Sequence, residues 1–180
     1  PHLEKFRRAL RVAEILGTKR IRMFSFFVGQ EELAACRDEV IARLSVLTRE
    51  AKDAGILLCH ENESKIYGQM PGEVADLLAS LPDLYAIFDP ANYRMNGADP
   101  MTGIGATLRR LGYLHIKDAI FEEQKIVPAG EGEGKIAEVL GIVDGFTDAP
   151  VMLTLEPHLH VFSAYKSIDE HELKGNYTFA

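Results

Sequence analysis

Apolar and polar positions follow two periods along the chain, and they predict helices and strands in strict alternation. Apolar residues at helical spacing, with charged residues between them, predict a first helix over residues 3–16 and a long second helix over residues 31–54. Short apolar runs follow the glycines and turns that end the helices, and such runs are typical of buried parallel strands. Five strands are predicted near residues 21–26, 56–60, 85–89, 113–117 and 151–156.

Strict alternation of strands and helices predicts βαβ units and therefore an α/β fold with a parallel sheet. A doubly wound sheet would favour a G-x-G-x-x-G turn after its first strand, and the sequence has none. A (β/α)8 TIM barrel places functional residues at several strand ends, and this pattern occurs four times here. A full barrel needs about 200–250 residues. We therefore expect one domain over residues 1–180 that covers about strands 4–8 of a barrel, without the N-terminal strands and the C-terminal helix.

Four predicted strands each deliver a side chain that can bind a metal ion at or near the carboxyl end. These side chains are Glu61, Asp89, His115 and Glu156. Adjacent parallel strands lie about 4.8 Å apart, so neighbouring strand ends can converge on a single ion. Three carboxylates and one imidazole form an oxygen-rich ligand set. Such a set suits Mn²⁺, Mg²⁺ or Co²⁺, whereas structural zinc sites are rich in thiolates. The alternative is that the acidic residues cap helices or face solvent, and that the histidine is buried in the core.

Composition narrows the classes of partner. The chain carries 20 basic and 27 acidic residues, a net charge of −7, which argues against nucleic acid. No run of about 18 apolar residues predicts a membrane span, and no secretory leader is visible. Two cysteines, Cys36 and Cys59, do not form a disulfide framework and are expected to be reduced thiols of a cytoplasmic protein.

Four short motifs surround the candidate ligands. They are Glu61-Asn62, Asp89-Pro90-Ala91-Asn92, His115-Ile116-Lys117-Asp118 and Glu156-Pro157-His158. These motifs resemble the metal-binding motifs of the xylose isomerase-like TIM-barrel superfamily, the sugar phosphate isomerase/epimerase family. Ketose 3-epimerases, inosose dehydratases and endonuclease IV belong to that superfamily. Residues 127–134 are similar to the loop after strand seven in its sugar-enzyme branch, and the resemblance covers essentially the whole chain.

The resemblance implies a metal-dependent sugar isomerase or epimerase that transfers a proton next to a carbonyl through an enediolate. Glu61 and Glu156 would be the acid/base pair, and Asp89 and His115 would hold the ion with them. The cofactor would be one divalent ion, Mn²⁺ first, with Mg²⁺, Co²⁺ or Zn²⁺ as alternatives. Substrate-binding roles fall on Asn92, Lys117 and His158.

Several alternatives remain open. Lys117 could instead form a salt bridge with Asp118 or Glu156, and His158 could be a loop histidine without a role. An inosose-type dehydratase and a non-catalytic sugar-binding barrel are competing functions. The nuclease branch is disfavoured because Asn92 replaces a histidine and Gly-Glu-Gly-Glu-Gly replaces an Asp-x-His motif. The expected partner is a small sugar or polyol, with no nucleic acid and no membrane; homo-oligomers are left open.

Overall fold

The computed structural model describes residues 1–156 of the 180-residue chain, and in that part five parallel strands form one curled sheet. The spatial order is β1-β2-β3-β4-β7, and every neighbouring pair is parallel. A separate two-stranded antiparallel hairpin consists of β5 and β6. The strands are β1 Arg20–Met23, β2 Leu57–Glu61, β3 Leu84–Phe88, β4 Leu111–Ile116, β5 Asp118–Ile120, β6 Lys125–Val127 and β7 Leu153–Leu155.

Helices lie between the strands of the sheet, as the alternating pattern predicts. They are α1 His2–Leu16, α2 Arg37–Asp53, α3 Pro71–Ser80, α4 Pro90–Met95, α5 Pro100–Thr107 and α6 Ile136–Phe146, with short 3₁₀ turns at Gln30–Glu32 and Leu108–Arg110. This is part of a TIM barrel, which confirms the predicted fold class. Within residues 1–156, no helix has the length and apolar character that crossing a membrane would require.

The two faces of the sheet bury different sets of apolar side chains. One face packs against the helices and forms the larger core, which includes Leu44, Leu58 and Leu84. The other face carries a small cluster built on Cys59, Ile87 and Tyr113, with further side chains packed beside it. Side chains alternate between the two faces along a strand. The residues two positions after Cys59, Ile87 and Tyr113 therefore lie on the same inner face, nearer the carboxyl ends of the strands.

Three local features differ from the sequence expectation. The second helix begins at Arg37 instead of residue 31, because turns and a 3₁₀ segment come first. A short helix, α4, lies where no helix was predicted. Asp89 caps its first turn by accepting a hydrogen bond from the Asn92 amide at 2.9 Å, and Pro90 occupies its first position. The expected loop after residue 121 contains strand β6.

Asp118 determines the shape of the glycine-rich loop. Its buried carboxylate accepts hydrogen bonds from the amides of Gly130, Gly132 and Gly134 at 2.7–3.0 Å, and from the Ala119 amide at 2.9 Å. A Cβ on Gly132 or Gly134 would collide with that carboxylate. The loop therefore needs glycine where its backbone wraps Asp118.

Candidate metal centre

Four neighbouring strands bring Glu61, Asp89, His115 and Glu156 together on the inner face of the sheet. Glu61 ends β2, Asp89 follows β3, His115 lies near the end of β4, and Glu156 follows β7. One ligand atom from each lies within 4.8 Å of the others. The first three residues are at most 2% exposed, and the Glu156 side chain is 18% exposed. The imidazole of His115 thus points into the cluster and not into the hydrophobic core.

The imidazole lies among three carboxylates. Its Nδ1 atom is 3.0 Å from Glu156 Oε2, 3.2 Å from Glu61 Oε1 and 3.5 Å from Asp89 Oδ2. Burial by itself would lower the pKa of His115, but the close polar contacts with these carboxylates and the attraction to their charges outweigh it and raise the pKa to about 11. Burial opposes ionisation of Glu156, yet its cationic neighbours lower its pKa to about 2.

The chemistry of this cluster fits a divalent cation. Asp89 Oδ2 and His115 Nδ1 are buried, close to groups of opposite charge, and yet in no well-formed hydrogen bond. Buried polar atoms in proteins are normally satisfied, and a cation coordinated by both atoms would satisfy them. Three carboxylate oxygens and one imidazole nitrogen suit Mg²⁺, Mn²⁺, Co²⁺ or Zn²⁺. The donor set does not choose among these ions.

Two asparagines position the acidic residues. The Asn62 side chain exchanges two hydrogen bonds of 2.9 Å with the backbone of Asp89, which ties the end of β2 to the end of β3. Asn92 donates from Nδ2 to Glu61 Oε1 at 3.1 Å and is 5% exposed. Asn92, predicted to bind substrate, therefore lies in the cluster and supports Glu61. The role of Asn62 was missed, although its place directly after Glu61 was a signal.

Lys117 brings a buried positive charge to the cluster. Its Nζ atom is 2.9 Å from Asp89 Oδ2 and 3.7 Å from Glu156 Oε2, and the side chain is 1% exposed. Burial works against the charged form, but attraction to Asp89 exceeds this effect and raises the pKa of Lys117. Of the two salt-bridge partners considered from the sequence, Glu156 is near Lys117, whereas Asp118 faces the glycine-rich loop. The shorter contact is with Asp89, which the sequence did not suggest, and the substrate-binding role of Lys117 stays a prediction.

Arg22 on β1 is a sixth charged residue at the cluster, and the sequence pattern assigned it no role there. Its Nη1 atom donates to Glu156 Oε1 at 2.9 Å, and its Nε atom lies 2.5 Å from Glu61 Oε2. The contact with Glu61 is ionic, because its angles are not those of a hydrogen bond. An arginine in a predicted strand offered no signal of this role, since only strand pairing brings it beside Glu61.

Two further residues are not part of the set of contacts described above. Glu63 is buried near the cluster, and burial raises the pKa of its carboxyl group. His158 lies outside the described residues, so its predicted substrate-binding role stays a prediction.

Comparison with known proteins identifies the family. The family described as "Xylose isomerase-like TIM barrel" matches residues 2–170. The chain belongs to this family. No curated protein matches the sequence. Among the solved structures that resemble this family member is the probable 3-DHS dehydratase AsbF of Bacillus anthracis, with a TM-score of 0.70, 18% identity, and coverage of 86% of this chain and 62% of that chain.

Two further solved structures have a similar fold and contain a bound ligand. The IOLI protein with a bound zinc atom has a TM-score of 0.73 and 13% identity, over 86% of this chain and 59% of that chain. The D-allulose 3-epimerase of a Methylomonas species, in complex with D-allulose, has a TM-score of 0.66 and 19% identity, over 86% and 55%. This chain therefore spans 55–62% of the length of the three solved barrels, and the likeness at this identity establishes the fold alone.

Proposed function

We propose that this barrel chain carries the centre of a divalent-metal-dependent sugar isomerase or epimerase. The observation that carries the proposal is the convergence of three carboxylates and one imidazole from four neighbouring strands within 4.8 Å. A bound divalent cation would polarise a substrate carbonyl and make the neighbouring C–H bond more acidic. Glu61, Asp89, His115 and Glu156 would hold that cation.

Proton transfer is assigned to Glu61 and Glu156. They reach the centre from β2 and β7, which are separated by β3 and β4, so their carboxylates approach it from different directions. Positive neighbours keep Glu156 ionised, which is the form that removes a proton. One glutamate removes the proton next to the carbonyl, and the other returns a proton to the same or the adjacent carbon. Asn92 and Lys117 orient the carboxylates and are near enough to meet substrate hydroxyl groups; His158 is the third proposed substrate contact.

A deuterium-exchange experiment tests the proposal. The purified chain with Mn²⁺ is incubated with ketohexoses in heavy water, and deuterium in the recovered sugar is measured by mass spectrometry. We expect metal-dependent uptake at the carbon next to the carbonyl, and loss of at least about 100-fold in Glu156→Gln, the lower end of general-base effects. Asp144→Gln, on the exposed surface of α6, is the matched control. No exchange with any ketohexose would exclude the epimerase reaction on these sugars and leave the dehydratase and the non-catalytic sugar-binding role.

A dehydratase is the second candidate, and Lys117 is the observation that favours it. Removal of water requires a proton for the departing hydroxyl group, and the glutamate that has taken the proton next to the carbonyl would supply it. The buried Lys117 ammonium, 2.9 Å from Asp89 Oδ2, would stabilise the departing hydroxyl group as a charged hydrogen-bond donor, because its raised pKa keeps it protonated. A trial of keto-inositol against ketohexoses separates the two reactions. Loss of water from the former identifies the dehydratase, whereas a change of stereochemistry in the latter identifies the epimerase.

The expected partners follow from this assignment. We propose a small sugar or polyol as substrate; that neither nucleic acid nor a membrane is a partner stays an expectation from the net charge and the hydropathy of the sequence. Cytoplasmic localisation and the oligomeric state remain predictions from the sequence.

A further inference from the structure

The two glutamates of the centre divide their carboxylate oxygens between two directions. Glu61 Oε1 and Glu156 Oε2 face the His115 imidazole at 3.2 and 3.0 Å. Glu61 Oε2 and Glu156 Oε1 face the Arg22 guanidinium at 2.5 and 2.9 Å. Arg22 therefore contacts the oxygens that point away from the imidazole, and it can keep both contacts while the inward oxygens hold a cation.

The guanidinium is fixed on several sides. Its carbon lies 4.9 Å from the centre of the Phe24 ring, and its edge meets the two carboxylates. Arg22 also belongs to β1, which is hydrogen-bonded to β2 in register with Cys59. An arginine remains charged at every pH relevant to the protein, so this is a permanent positive charge within contact of two metal ligands.

We infer that Arg22 is a positioning residue that acts as an internal counter-ion of the metal centre, stabilising the ligand cluster before a cation binds and weakening cation binding. The inference rests on the proposed metal centre. Two cations that share the same carboxylates disfavour each other, and thermodynamic linkage makes this coupling reciprocal. Removing the Arg22 charge should therefore destabilise the metal-free protein more than the metal-bound protein.

Removing Arg22 could also disorder the ligands and so weaken cation binding, but other contacts in the structure limit this effect. Asn92 holds Glu61 through a buried hydrogen bond, and Asn62 holds Asp89 through two. Lys117 and His115 still attract Glu156 when Arg22 is absent. The ligand geometry thus has supports other than Arg22, and we expect the change of charge to dominate the effect on affinity.

The test compares Mn²⁺ binding by isothermal titration calorimetry in the unmodified chain, Arg22→Gln, Arg22→Lys and Arg109→Gln. Arg109 is exposed and precedes β4, at the end of the strands opposite the centre, so it is the charge-matched control. We expect Arg22→Gln to bind Mn²⁺ at least about fivefold more tightly, the lower end of couplings between sites. Arg22→Lys keeps the charge and should stay within about threefold of the unmodified chain.

Thermal unfolding measures the same coupling independently. A fivefold change in affinity is about 1 kcal/mol, or about 2–4 °C in Tm for a chain of this size. Arg22→Gln should therefore lower the Tm in EDTA by about that much more than it lowers the Tm in saturating Mn²⁺. A variant that folds only with Mn²⁺ would be the extreme form of this result.

Each other outcome has a definite meaning. Equal or weaker Mn²⁺ binding by Arg22→Gln, or loss of folding both with and without Mn²⁺, would overturn the inference. Tightening in Arg22→Lys equal to that in Arg22→Gln would also overturn it, because the charge would then not be the cause. If the unmodified chain binds none of Mn²⁺, Mg²⁺, Co²⁺ and Zn²⁺, the proposed metal-dependent function fails, and the inference about Arg22 fails with it.

Discussion

The isosteric change Asp118→Asn tests how the glycine-rich loop is held next to the centre. Asp118 directly follows Lys117, and its two carboxylate oxygens accept four backbone hydrogen bonds. The Ala119 and Gly134 amides donate to Oδ1, and those of Gly130 and Gly132 donate to Oδ2. An asparagine has only one acceptor oxygen, so either orientation of its amide turns an NH₂ group toward two backbone donors.

The expected loss in the free energy of unfolding follows from these hydrogen bonds. Two hydrogen bonds to a charged acceptor are lost, at about 1.5–3 kcal/mol each, so we expect a destabilisation of about 3–6 kcal/mol. This is a large part of the 5–15 kcal/mol that is typical of a folded domain. Because the group is 1% exposed, water cannot readily replace the lost acceptor. Asp118→Ala leaves all four backbone amides without an acceptor, and should cost at least as much as Asp118→Asn.

Urea denaturation followed by circular dichroism, in EDTA, measures these differences. Asp144→Asn makes the same change of charge at an exposed position of α6 and should alter stability by less than about 0.5 kcal/mol. A loss below 1 kcal/mol in Asp118→Asn would refute the reasoning, since it would mean that the four contacts do not hold the loop.

Three further predictions concern buried groups around the centre. Asn62→Ala should destabilise the fold by about 2–4 kcal/mol in urea denaturation and weaken Mn²⁺ binding, because it leaves the buried N–H of Asp89 unpaired and removes one of two hydrogen bonds to its C=O; unchanged stability would contradict this. Burial lowers the pKa of His60 to about 4, so the unfolded chain alone gains a proton as the pH falls from about 6.5 to 4. About 3 kcal/mol of stability should be lost over that range, and His60→Leu should reduce the dependence on pH in EDTA. Burial raises the pKa of both thiols, that of Cys59 to about 12, but Cys36 is partly exposed whereas Cys59 is buried. A disulfide reagent should therefore modify Cys36 in the folded protein and Cys59 only on unfolding, and Cys36→Ser should remove the earlier phase.

The sequence by itself determined the order of the five sheet strands and of the main helices between them, and the positions of the four ligand-type side chains. Apolar runs of strand length between amphipathic helices predict a parallel sheet, because each run must be buried on both faces. Alternation along a strand then fixes which residues share a face. Glu61, Asp89, His115 and Glu156 could be selected in this way because each lies at or near the end of its strand, where side chains of parallel strands meet.

Only the tertiary structure decided what surrounds these four residues. Arg22 and Glu61 are 39 positions apart, and only the pairing of β1 with β2 puts the guanidinium against the carboxylate. The wrapping of Asp118 by glycine amides depends on a loop path that no local pattern encodes. Hydrophobic periodicity specifies faces and ends of elements, whereas contacts between charged side chains depend on register and close packing, which arise only when the strands assemble.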